Sequence, residues 1–393
     1  MIDAKTEQHR GLFPALANKA YFNYGGQGPL SSLALEAIAN AYQFIQQAGP
    51  FSGAVNDWID LQTDRMRSAI ASQLGVAKQA IALTEDVTVG CNIALWGLDW
   101  SAGDHILITD CEHPGIVAAV KELQRRFGIE VSICSLVETL NQGDPVTAII
   151  QHLRPSTRLV VLSHILWNTG QVLPLAEIAT ACKNVSDARI LVDAAQSVGV
   201  LPLNLSEIAI DFYAFTGHKW WCGPEGLGGL YVAPDALESL HPTSIGWRGI
   251  VTDSSGNPIR WHSDARRYEV ATSAYPLMAG LGEAIALQEQ WGSAQQRYQQ
   301  IQHLSRYLWQ RLSELPDIKC LHTSPPAAGL VSFQVKGMPH NQFVQLLERQ
   351  NCFIRTIRFP DCVRACVHYF TLPSEIDRLI DAIASAIASK QNF

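Results

Sequence analysis

The segment from Ile190 to Gly229 reads ILVDAAQSVGVLPLNLSEIAIDFYAFTGHKWWCGPEGLGG, and it decides the fold. It contains two short apolar runs that are each followed by polar residues: Asp193 ends the first run, and Lys219 follows the second after a short turn. When two such runs are parallel strands of one sheet, side chains at their carboxyl ends reach a common site. The segment therefore predicts a parallel sheet with a carboxylate and an amine at one edge.

The pattern extends on both sides of this segment. From Tyr21 to about residue 233, short apolar runs alternate with amphipathic runs, which is typical of βαβ units in an α/β fold with a largely parallel sheet. Apolar stripes of helical period predict helices at Leu33–Gln47 and Pro114–Arg126. The predicted strands are Ile106–Thr109, Leu159–Leu162, Arg189–Val192, Phe212–Phe215 and Leu227–Val232.

A Gly-, Pro- and Ser-rich stretch from Pro242 to Pro258 precedes a change of pattern. A helical pattern then runs from Leu277 to Leu315, broken at Gly292 and Ser293, where Ser293 can cap a second helix. A smaller α+β domain follows, with predicted elements at Leu330–Val335, Asn341–Gln350, Phe353–Thr356, Ala365–Phe370 and Ser374–Ala388. We divide the chain into an N-terminal segment (1–20) expected to pack on the small domain, a large domain (21–275), and a linking helix with the small domain (276–393).

Composition excludes several classes of function. The 393 residues include 29 Lys and Arg against 36 Asp and Glu, a net charge of −7, without a run of basic residues, so nucleic acid is not an expected partner. The sequence shows neither the apolar core of a signal peptide nor an apolar stretch of membrane-spanning length, so we expect a cytoplasmic protein and no membrane partner. Nine cysteines without a CxxC pair argue against a disulfide framework and against a metal site.

An amine and a carboxylate at one sheet edge are suited to pyridoxal 5'-phosphate (PLP). The amine can form a Schiff base with this cofactor, and the carboxylate can keep its pyridine nitrogen protonated, which makes the ring an electron sink. Lys219 and Asp193 are the predicted pair.

The order Asp-x-x-Gln (193–196), Thr-Gly-His-Lys (216–219) and Gly-Pro-x-Gly (223–226) resembles the class V aminotransferase group of fold-type I PLP enzymes. This group includes cysteine desulfurases, kynureninases and cystine or cysteine C-S lyases, and the resemblance extends over nearly the whole chain. It implies that Lys219 binds PLP covalently, that Asp193 contacts the pyridine nitrogen, and that Gln196 lies near the phenolic oxygen. It also implies that Thr216 and His218 approach the phosphate.

A helix predicted to begin near Val87 offers a phosphate site, because the first amides of a helix are unpaired and its dipole favours an anion. The backbone amides of Asp86 and Val87 and the hydroxyl of Thr88 would form the cradle, and the resembling family binds the PLP phosphate at the matching turn. The Asp86 carboxylate would repel a phosphate unless it points away. The alternative is that Thr84 or Asp86 merely caps the helix.

Two further segments bear on the cofactor ring. In Glu-His-Pro-Gly (112–115), the resemblance implies that His113 stacks over the ring, and an imidazole can also relay protons near neutral pH. The segment SHILWNTG (163–170) departs from the family pattern. An ungapped alignment places the family's asparagine at Trp167 and leaves Gln196 or His164 to do its work, whereas a one-residue bulge would give that role to Asn168.

The resemblance also implies a homodimer with composite active sites. Thr272, in the segment 266–273, corresponds to a threonine that reaches the phosphate of the neighbouring subunit's cofactor. Trp247, in Gly-Trp-Arg-Gly (246–249), lies where family members place residues at the partner's substrate entrance. The alternative for both residues is an ordinary surface loop.

Arginines near the C-terminus are the candidate substrate ligands. A guanidinium binds a carboxylate with two parallel hydrogen bonds, so we expect Arg364 to hold the substrate α-carboxylate and Arg355 to assist. Near the other terminus, Gly25 and Gly26 would let the backbone approach the substrate closely.

The spacing of these arginines separates two activities. In cysteine desulfurases, a persulfide-accepting cysteine lies on a mobile loop between the counterparts of Arg355 and Arg364. Only residues 356–363 separate them here, and Cys362 is the cysteine among them. The sequence therefore favours PLP-dependent β-elimination from cystine or cysteine, which gives a persulfide or sulfide, pyruvate and ammonia.

Alternatives to this activity are a cysteine desulfurase, an aminotransferase and a non-catalytic PLP-bound sulfur-assembly partner. In each sulfur-transferring reading, the partner would be a sulfur acceptor protein or an apo iron-sulfur protein. A nicotinamide dehydrogenase fits less well, because Gly-Leu-Gly-Gly (226–229) lacks the GxGxxG spacing and precedes a strand.

Overall fold

A computed structural model describes residues 4–389 of the protein. The α-helices are α1 Ala4–Arg10, α2 Ser32–Ala48, α3 Gly53–Leu74, α4 Val87–Gly97, α5 Pro114–Phe127, α6 Pro145–Ile150, α7 Leu175–Val185, α8 Tyr275–Trp291, α9 Ala294–Ser313, α10 His340–Glu348 and α11 Pro373–Ser389. The β-strands are β1 Ala20–Tyr21, β2 Ile81–Thr84, β3 His105–Thr109, β4 Glu130–Cys134, β5 Thr157–Ser163, β6 Arg189–Asp193, β7 Phe212–Thr216, β8 Gly228–Val232, β9 Ile250–Thr252, β10 Pro258–Trp261, β11 Ile318–Cys320, β12 Leu330–Val335, β13 Cys352–Phe353, β14 Arg355–Ile357 and β15 Cys362–Cys366.

The large sheet has seven strands in the order β2-β8-β7-β6-β5-β3-β4. Strand β8 is antiparallel to β2 and β7, and the other neighbouring pairs are parallel. Strands β3, β6, β7 and β8 are almost wholly buried, because helices cover both faces of the sheet. The predicted mainly parallel sheet is confirmed, and its parallel strands place their carboxyl ends along one edge.

Polar side chains fix where several helices begin. The Ser31 hydroxyl accepts a hydrogen bond from the Ala34 amide at the start of α2. Ser293 and Gln296 form a reciprocal capping box at the start of α9, which confirms the cap predicted for Ser293.

The small domain contains a four-stranded antiparallel sheet in the order β11-β12-β15-β14. Helices α9, α10 and α11 pack against it around a separate apolar core. The strand predicted at Ala365–Phe370 is wrong in position, because the strand ends at Cys366. His368 instead stacks on Trp220, and Phe370 stacks on Phe13, so the apolar run continues as an aromatic cluster.

The strand predicted at Phe353–Thr356 is divided between two sheets. Strand β13 pairs in parallel with β1, which contains Ala20 and Tyr21, whereas β14 pairs with β15. The chain thus changes sheets at Ile354, and β1 becomes attached to the small domain.

The N-terminal segment also contacts the small domain. The Arg10 guanidinium forms an ion pair of 2.7 Å with Glu375 of α11 and donates hydrogen bonds to the Leu16 and Lys19 carbonyls. Nε2 of His9 lies 2.8 Å from the Tyr369 hydroxyl. Within residues 4–389, no helix combines the length and apolarity needed to cross a membrane.

Candidate active site

A cavity of about 250 Å³ lies at the carboxyl ends of β5, β6 and β7, between the large sheet, the 25–26 turn and the small domain. Most of the residues predicted for the site line it. These are Gly25, Gly26, Asp86, Val87, Thr88, His113, Asp193, Gln196, His218, Lys219, Arg355 and Arg364.

Lys219 and Asp193 face this cavity from neighbouring strand ends. Lys219 follows β7 after two residues, and Asp193 is the last residue of β6. Burial lowers the pKa of the Lys219 amine to about 8, although Asp193 opposes this change and Arg364 supports it. An amine with this pKa is partly neutral near physiological pH, as covalent capture of an aldehyde requires. The Asp193 carboxylate is held by the Ala195 amide at 2.9 Å.

The helix turn at residues 86–88 borders the same cavity. Asp86 caps α4, because its Oδ1 atom accepts a hydrogen bond of 2.9 Å from the Val89 amide. Asp86 thus has the helix-capping role that was the alternative to phosphate binding, and its carboxylate points towards the first amides of α4. Val87 and Thr88 line the cavity beside it.

His218 is the cavity-lining member of the predicted Thr216–His218 pair. The Thr216 hydroxyl lies 2.7 Å from Nδ1 of His218 and is fully buried. Thr216 does not line the cavity, and its hydroxyl is directed at the imidazole. It orients His218 and leaves the cavity-facing contacts to that side chain.

His113 lies at the cavity wall and caps α5. Its Nδ1 atom accepts a hydrogen bond of 3.2 Å from the Gly115 amide, so a neutral ring carries its proton on Nε2. Burial lowers the pKa of this imidazole, although Asp193 opposes this change and Lys219 supports it. The ring packs edge-on against Trp167, with 5.9 Å between centroids. His113 therefore offers the flat face of its ring at the wall of the cavity that also contains Lys219.

Glu112, for which the sequence predicts no role, is buried next to the cavity wall. It accepts hydrogen bonds from the Thr109 hydroxyl at 2.6 Å, the Ser163 hydroxyl at 2.9 Å and the Ser163 amide at 3.1 Å. Burial raises the pKa of this carboxyl to about 8, and Asp193 adds to the effect. Glu112 thereby fixes the end of β5 at Ser163, which lines the cavity. The available signal was an acidic residue three positions after the end of the buried strand β3.

Three residues form a row across the small sheet and face the cavity side. Arg355 is paired with Arg364 on β15, and Arg364 is paired with Ser332 on β12. Arg364 is 1% exposed and donates to the Trp167 carbonyl, and its Nε atom has no hydrogen-bond partner within residues 4–389. Burial and the positive charge of Arg364 lower the pKa of Arg355. Two neighbouring guanidiniums that both line the cavity are suited to a ligand with carboxylate groups.

The glycine turn makes room for these arginines. A Cβ atom on Gly25 would lie 2.7 Å from a terminal nitrogen of Arg364, and one on Gly26 would lie 3.0 Å from a terminal nitrogen of Arg355. The Gly25 carbonyl also accepts a hydrogen bond of 2.8 Å from Gln196. Only glycine permits this close approach without displacing the side chains.

The structure decides between Trp167 and Asn168. Ile165 and Val172 form a β-bridge, and the loop between them directs Trp167 into the cavity. Asn168 does not line the cavity, so the structure does not place it among the residues gathered around Lys219. Its amide donates a hydrogen bond of 3.1 Å to the Phe359 carbonyl.

The ungapped alignment therefore describes this loop without a bulge. Nε1 of Trp167 is buried, and none of the residues that the structure describes forms a hydrogen bond with it. His164, the other residue considered, is bonded to the Tyr213 hydroxyl at 3.0 Å and is absent from the cavity wall. Gln196 lines the cavity, and its Oε1 atom accepts a hydrogen bond of 2.9 Å from Trp220.

Thr272 and Trp247 lie elsewhere. Both are exposed, Trp247 by 61%, and both line a separate cavity of about 1090 Å³ next to α3. Neither contributes to the Lys219 cavity within one chain, so their predicted roles would require a second copy.

Cys362 lies in β15 and is fully buried. Burial raises the pKa of its thiol to about 12, so the thiolate needed for nucleophilic attack is scarce at neutral pH. Ile357 of β14 pairs with it across the sheet. Cys362 is therefore held as part of a strand.

The cavity fits PLP. The Lys219 amine can bind an aldehyde, Asp193 can contact a ring nitrogen, and His113 provides a flat surface for the ring. The start of α4 can hold a phosphate, with His218 beside it. The unpartnered Nε1 of Trp167 is a further donor for an occupant.

Comparisons with known proteins agree with this geometry. A family model for class V aminotransferases matches residues 51–377. The chain is similar to the solved cystine C-S lyase C-DES in complex with its reaction product cysteine persulfide, with 51% identity and a TM-score of 0.93 over 95% of this chain and 99% of that one. A variant of C-DES with glycine covalently linked to the PLP cofactor gives 51% identity and a TM-score of 0.94, over 95% of this chain and 98% of that one.

A more distant relative is isopenicillin N epimerase from Streptomyces clavuligerus, with 29% identity over 98% of both chains. The cysteine desulfurase of Haloferax volcanii is 28% identical over 82% of this chain and 78% of its own. The architecture is that of fold-type I PLP enzymes. Because the family model covers most of the sequence and the structural match extends over nearly all of it, this chain belongs to the class V aminotransferase family.

Proposed function

We propose that this protein is a PLP-dependent carbon-sulfur lyase that acts on cystine or cysteine. The observation that carries the proposal is that one cavity combines Lys219, Asp193 and two arginines, while the nearby Cys362 is buried in a strand. The similarity to C-DES, whose product is cysteine persulfide, supports the same reaction class.

The overall reaction with cystine balances with one water: cystine and water give cysteine persulfide, pyruvate and ammonia. When bound, PLP supplies an electron sink for the Cα atom of the amino acid. Lys219 holds the cofactor and, once its Nζ atom is free, accepts the Cα proton. Asp193 keeps the pyridine nitrogen protonated. Arg364 binds the α-carboxylate, and Arg355 lies beside it for a second anionic group.

Cystine is the preferred substrate within this proposal. A persulfide anion is less basic than a simple thiolate and leaves more readily. Cystine also has two carboxylates, and the cavity has two adjacent arginines to receive them.

The alternatives differ in what they require. A cysteine desulfurase needs a reactive protein thiol, and the burial and raised pKa of Cys362 argue against one. An aminotransferase needs a keto acid to complete a second half-reaction. A non-catalytic sulfur-assembly partner would bind PLP without turnover.

We also propose that the protein is a cytoplasmic homodimer. A homodimer would bring Thr272 and Trp247 towards the site of the neighbouring subunit. All nine cysteines are unpaired, which supports a reducing compartment such as the cytoplasm. The released sulfur would be available to an acceptor protein, including an apo iron-sulfur protein.

The test is an absorbance spectrum of the purified, PLP-loaded protein, followed by addition of cystine. We expect cofactor absorbance, a spectral change on addition, and equal amounts of pyruvate and persulfide. Cysteine and alanine serve as parallel substrates. Pyruvate from neither sulfur amino acid would refute the lyase proposal, and loss of Cα chirality without pyruvate would indicate an epimerase.

A further inference from the structure

Residues 167–170 form the tip of the loop that follows β5, and this tip lies against the small domain. Three successive carbonyls in it accept hydrogen bonds from small-domain side chains. Arg364 donates to the Trp167 carbonyl, Ser332 to the Asn168 carbonyl at 2.7 Å, and His322 lies 3.1 Å from the Thr169 carbonyl. The tip is therefore the place where the large domain meets the strands that carry the substrate-facing arginines.

The Asn168 side chain reaches a different part of the small domain. Its Nδ2 atom donates to the Phe359 carbonyl at 3.1 Å, and its Oδ1 atom accepts from the Thr169 amide at 2.9 Å. Phe359 lies in the turn 358–361, which joins β14 to β15 and hence connects Arg355 to Arg364. Asn168 is 1% exposed, so these hydrogen bonds are shielded from water.

Two other side chains also hold this turn. Gln334 donates to the Asp361 carbonyl at 3.1 Å, and Nδ1 of His340 lies 2.8 Å from the Asp361 carboxylate. Both belong to the small domain, so they fix the shape of the turn within that domain. Asn168 belongs to the large domain, so it fixes the distance between the turn and Lys219.

We propose that Asn168 is a positioning residue, which holds the turn 358–361 and thereby sets Arg355 and Arg364 at the distance from Lys219 that substrate carboxylates require. This inference rests on the proposed function for its substrate. Asn168 acts through the arginines and touches neither substrate nor cofactor.

The test compares Asn168→Ala with a matched control, Asn141→Ala. The Asn141 amide also donates to a small-domain carbonyl, that of Leu321 at 2.9 Å, and its Oδ1 atom also accepts from a backbone amide, that of Thr323. Asn141 lies outside the cavity wall. The two variants therefore remove the same kinds of contact at different places. Asn168→Ser, a milder change, is used if the alanine variant folds poorly.

We expect Asn168→Ala to raise the KM for cystine about tenfold, with kcat within twofold and PLP content unchanged. Hydrogen-deuterium exchange of peptides covering 355–364 should increase in Asn168→Ala and stay unchanged in Asn141→Ala. An unchanged KM together with unchanged exchange would overturn the inference, and so would a loss of kcat at constant KM.

The exchange measurement separates this inference from the proposed function. If the unmodified protein released no pyruvate from cystine, the lyase proposal would fail. The exchange of peptides 355–364 would still show whether Asn168 holds the turn, and unchanged exchange would refute that role.

Discussion

Gly25 and Arg364 are in contact across the cavity mouth, although 339 positions of sequence separate them: a Cβ atom on Gly25 would lie 2.7 Å from a terminal nitrogen of the Arg364 guanidinium and 3.0 Å from Oε1 of Gln196. Because Gly25 has no side chain, it leaves the room that the Arg364 guanidinium occupies.

Gly25→Ala should displace Arg364 and weaken carboxylate binding. We expect the KM for cystine to rise about tenfold, which corresponds to roughly 1.4 kcal/mol, while PLP binding persists. Steady-state kinetics measures the change. Gly282→Ala is the control, because its added Cβ would meet only the Met66 methyl at 3.7 Å. Equal kinetics in both variants would show that the close approach at Gly25 is unimportant.

Lys219→Ala should abolish turnover and leave PLP bound without a covalent bond, because Asp193, His113 and the start of α4 remain in place. In the unmodified apoprotein, the rate of covalent PLP attachment should rise with pH and level off above about 8, because only the neutral amine reacts. Borohydride reduction followed by peptide mapping locates the attachment. Reduced cofactor on a peptide without Lys219 would contradict the assignment.

Trp247→Ala should weaken a dimer, because Trp247 is 61% exposed and two further apolar side chains close to it in sequence, Ile245 and Ile259, are also exposed. Sedimentation velocity across a concentration series measures this, and Thr272→Ala should in addition reduce PLP retention. Ile133→Ala is the control for the loss of an exposed apolar side chain. Ile133 is 59% exposed and lies on β4, an edge strand of the large sheet. A fully active monomer at assay concentration would remove the basis of the composite site.

Cys362→Ser should keep most pyruvate formation from cystine. The thiol is buried and its raised pKa, about 12, leaves almost no thiolate at neutral pH. Activity, PLP content and thermal unfolding are measured together. A folded, PLP-loaded serine variant that has lost nearly all activity would establish the desulfurase alternative instead.

Buried imidazoles should make the protein less stable in acid. Burial lowers the pKa of His9 and His164 to about 4 and that of His368 to about 3, whereas an unfolded histidine has a pKa near 6.5. Their contribution to stability is complete above pH 6.5 and is lost as the pH falls, because the unfolded chain binds protons first. Between pH 6.5 and 5, each such imidazole costs about 2 kcal/mol.

Histidine variants separate the pH dependence of stability caused by the buried imidazoles from that caused by Glu112. The pKa of Glu112 is raised to about 8, so the native state holds its proton longer and stability changes in the opposite direction. His164→Asn should therefore reduce the loss of unfolding free energy between pH 6.5 and 5, measured by denaturant titration. His303→Asn, which changes an exposed ring, should leave the loss unaltered. Parallel pH profiles for His164→Asn and the unmodified protein would contradict this interpretation.

The sequence alone predicts those features of the fold and the site that depend on residues close together in the chain. Asp193 and Lys219 could be placed together because Asp193 ends one strand and Lys219 follows the neighbouring one, and the carboxyl ends of parallel strands share an edge. The Asn168 contact could not be found in this way, because it depends on a loop whose orientation is set by a bridge between Ile165 and Val172. The end of β15 at Cys366 could not be predicted either, because the residues that follow it are mostly apolar and aromatic, and they pack on the distant rings of Trp220 and Phe13.

The other features that the sequence did not predict are contacts between residues far apart in the chain. An acidic residue near the end of β3 was visible in the sequence, but its hydrogen bonds to Ser163 on β5, 51 positions away, were not. The row formed by Arg355, Arg364 and Ser332 requires the strand register, whereas the presence of two arginines near the C-terminus was visible directly. The local sequence thus predicts which residues can do chemistry better than it predicts what holds them.

The short turn 358–361 also has a consequence for the fate of sulfur after the proposed reaction. An enzyme that retains sulfur on its own thiol must hand it over during an encounter with an acceptor, so delivery depends on recognition between proteins. With Cys362 closed inside β15, the sulfur would instead leave as a small diffusible molecule. Its distribution would then follow the concentration and reactivity of surrounding thiols, and the output of the protein would follow the supply of oxidised substrate.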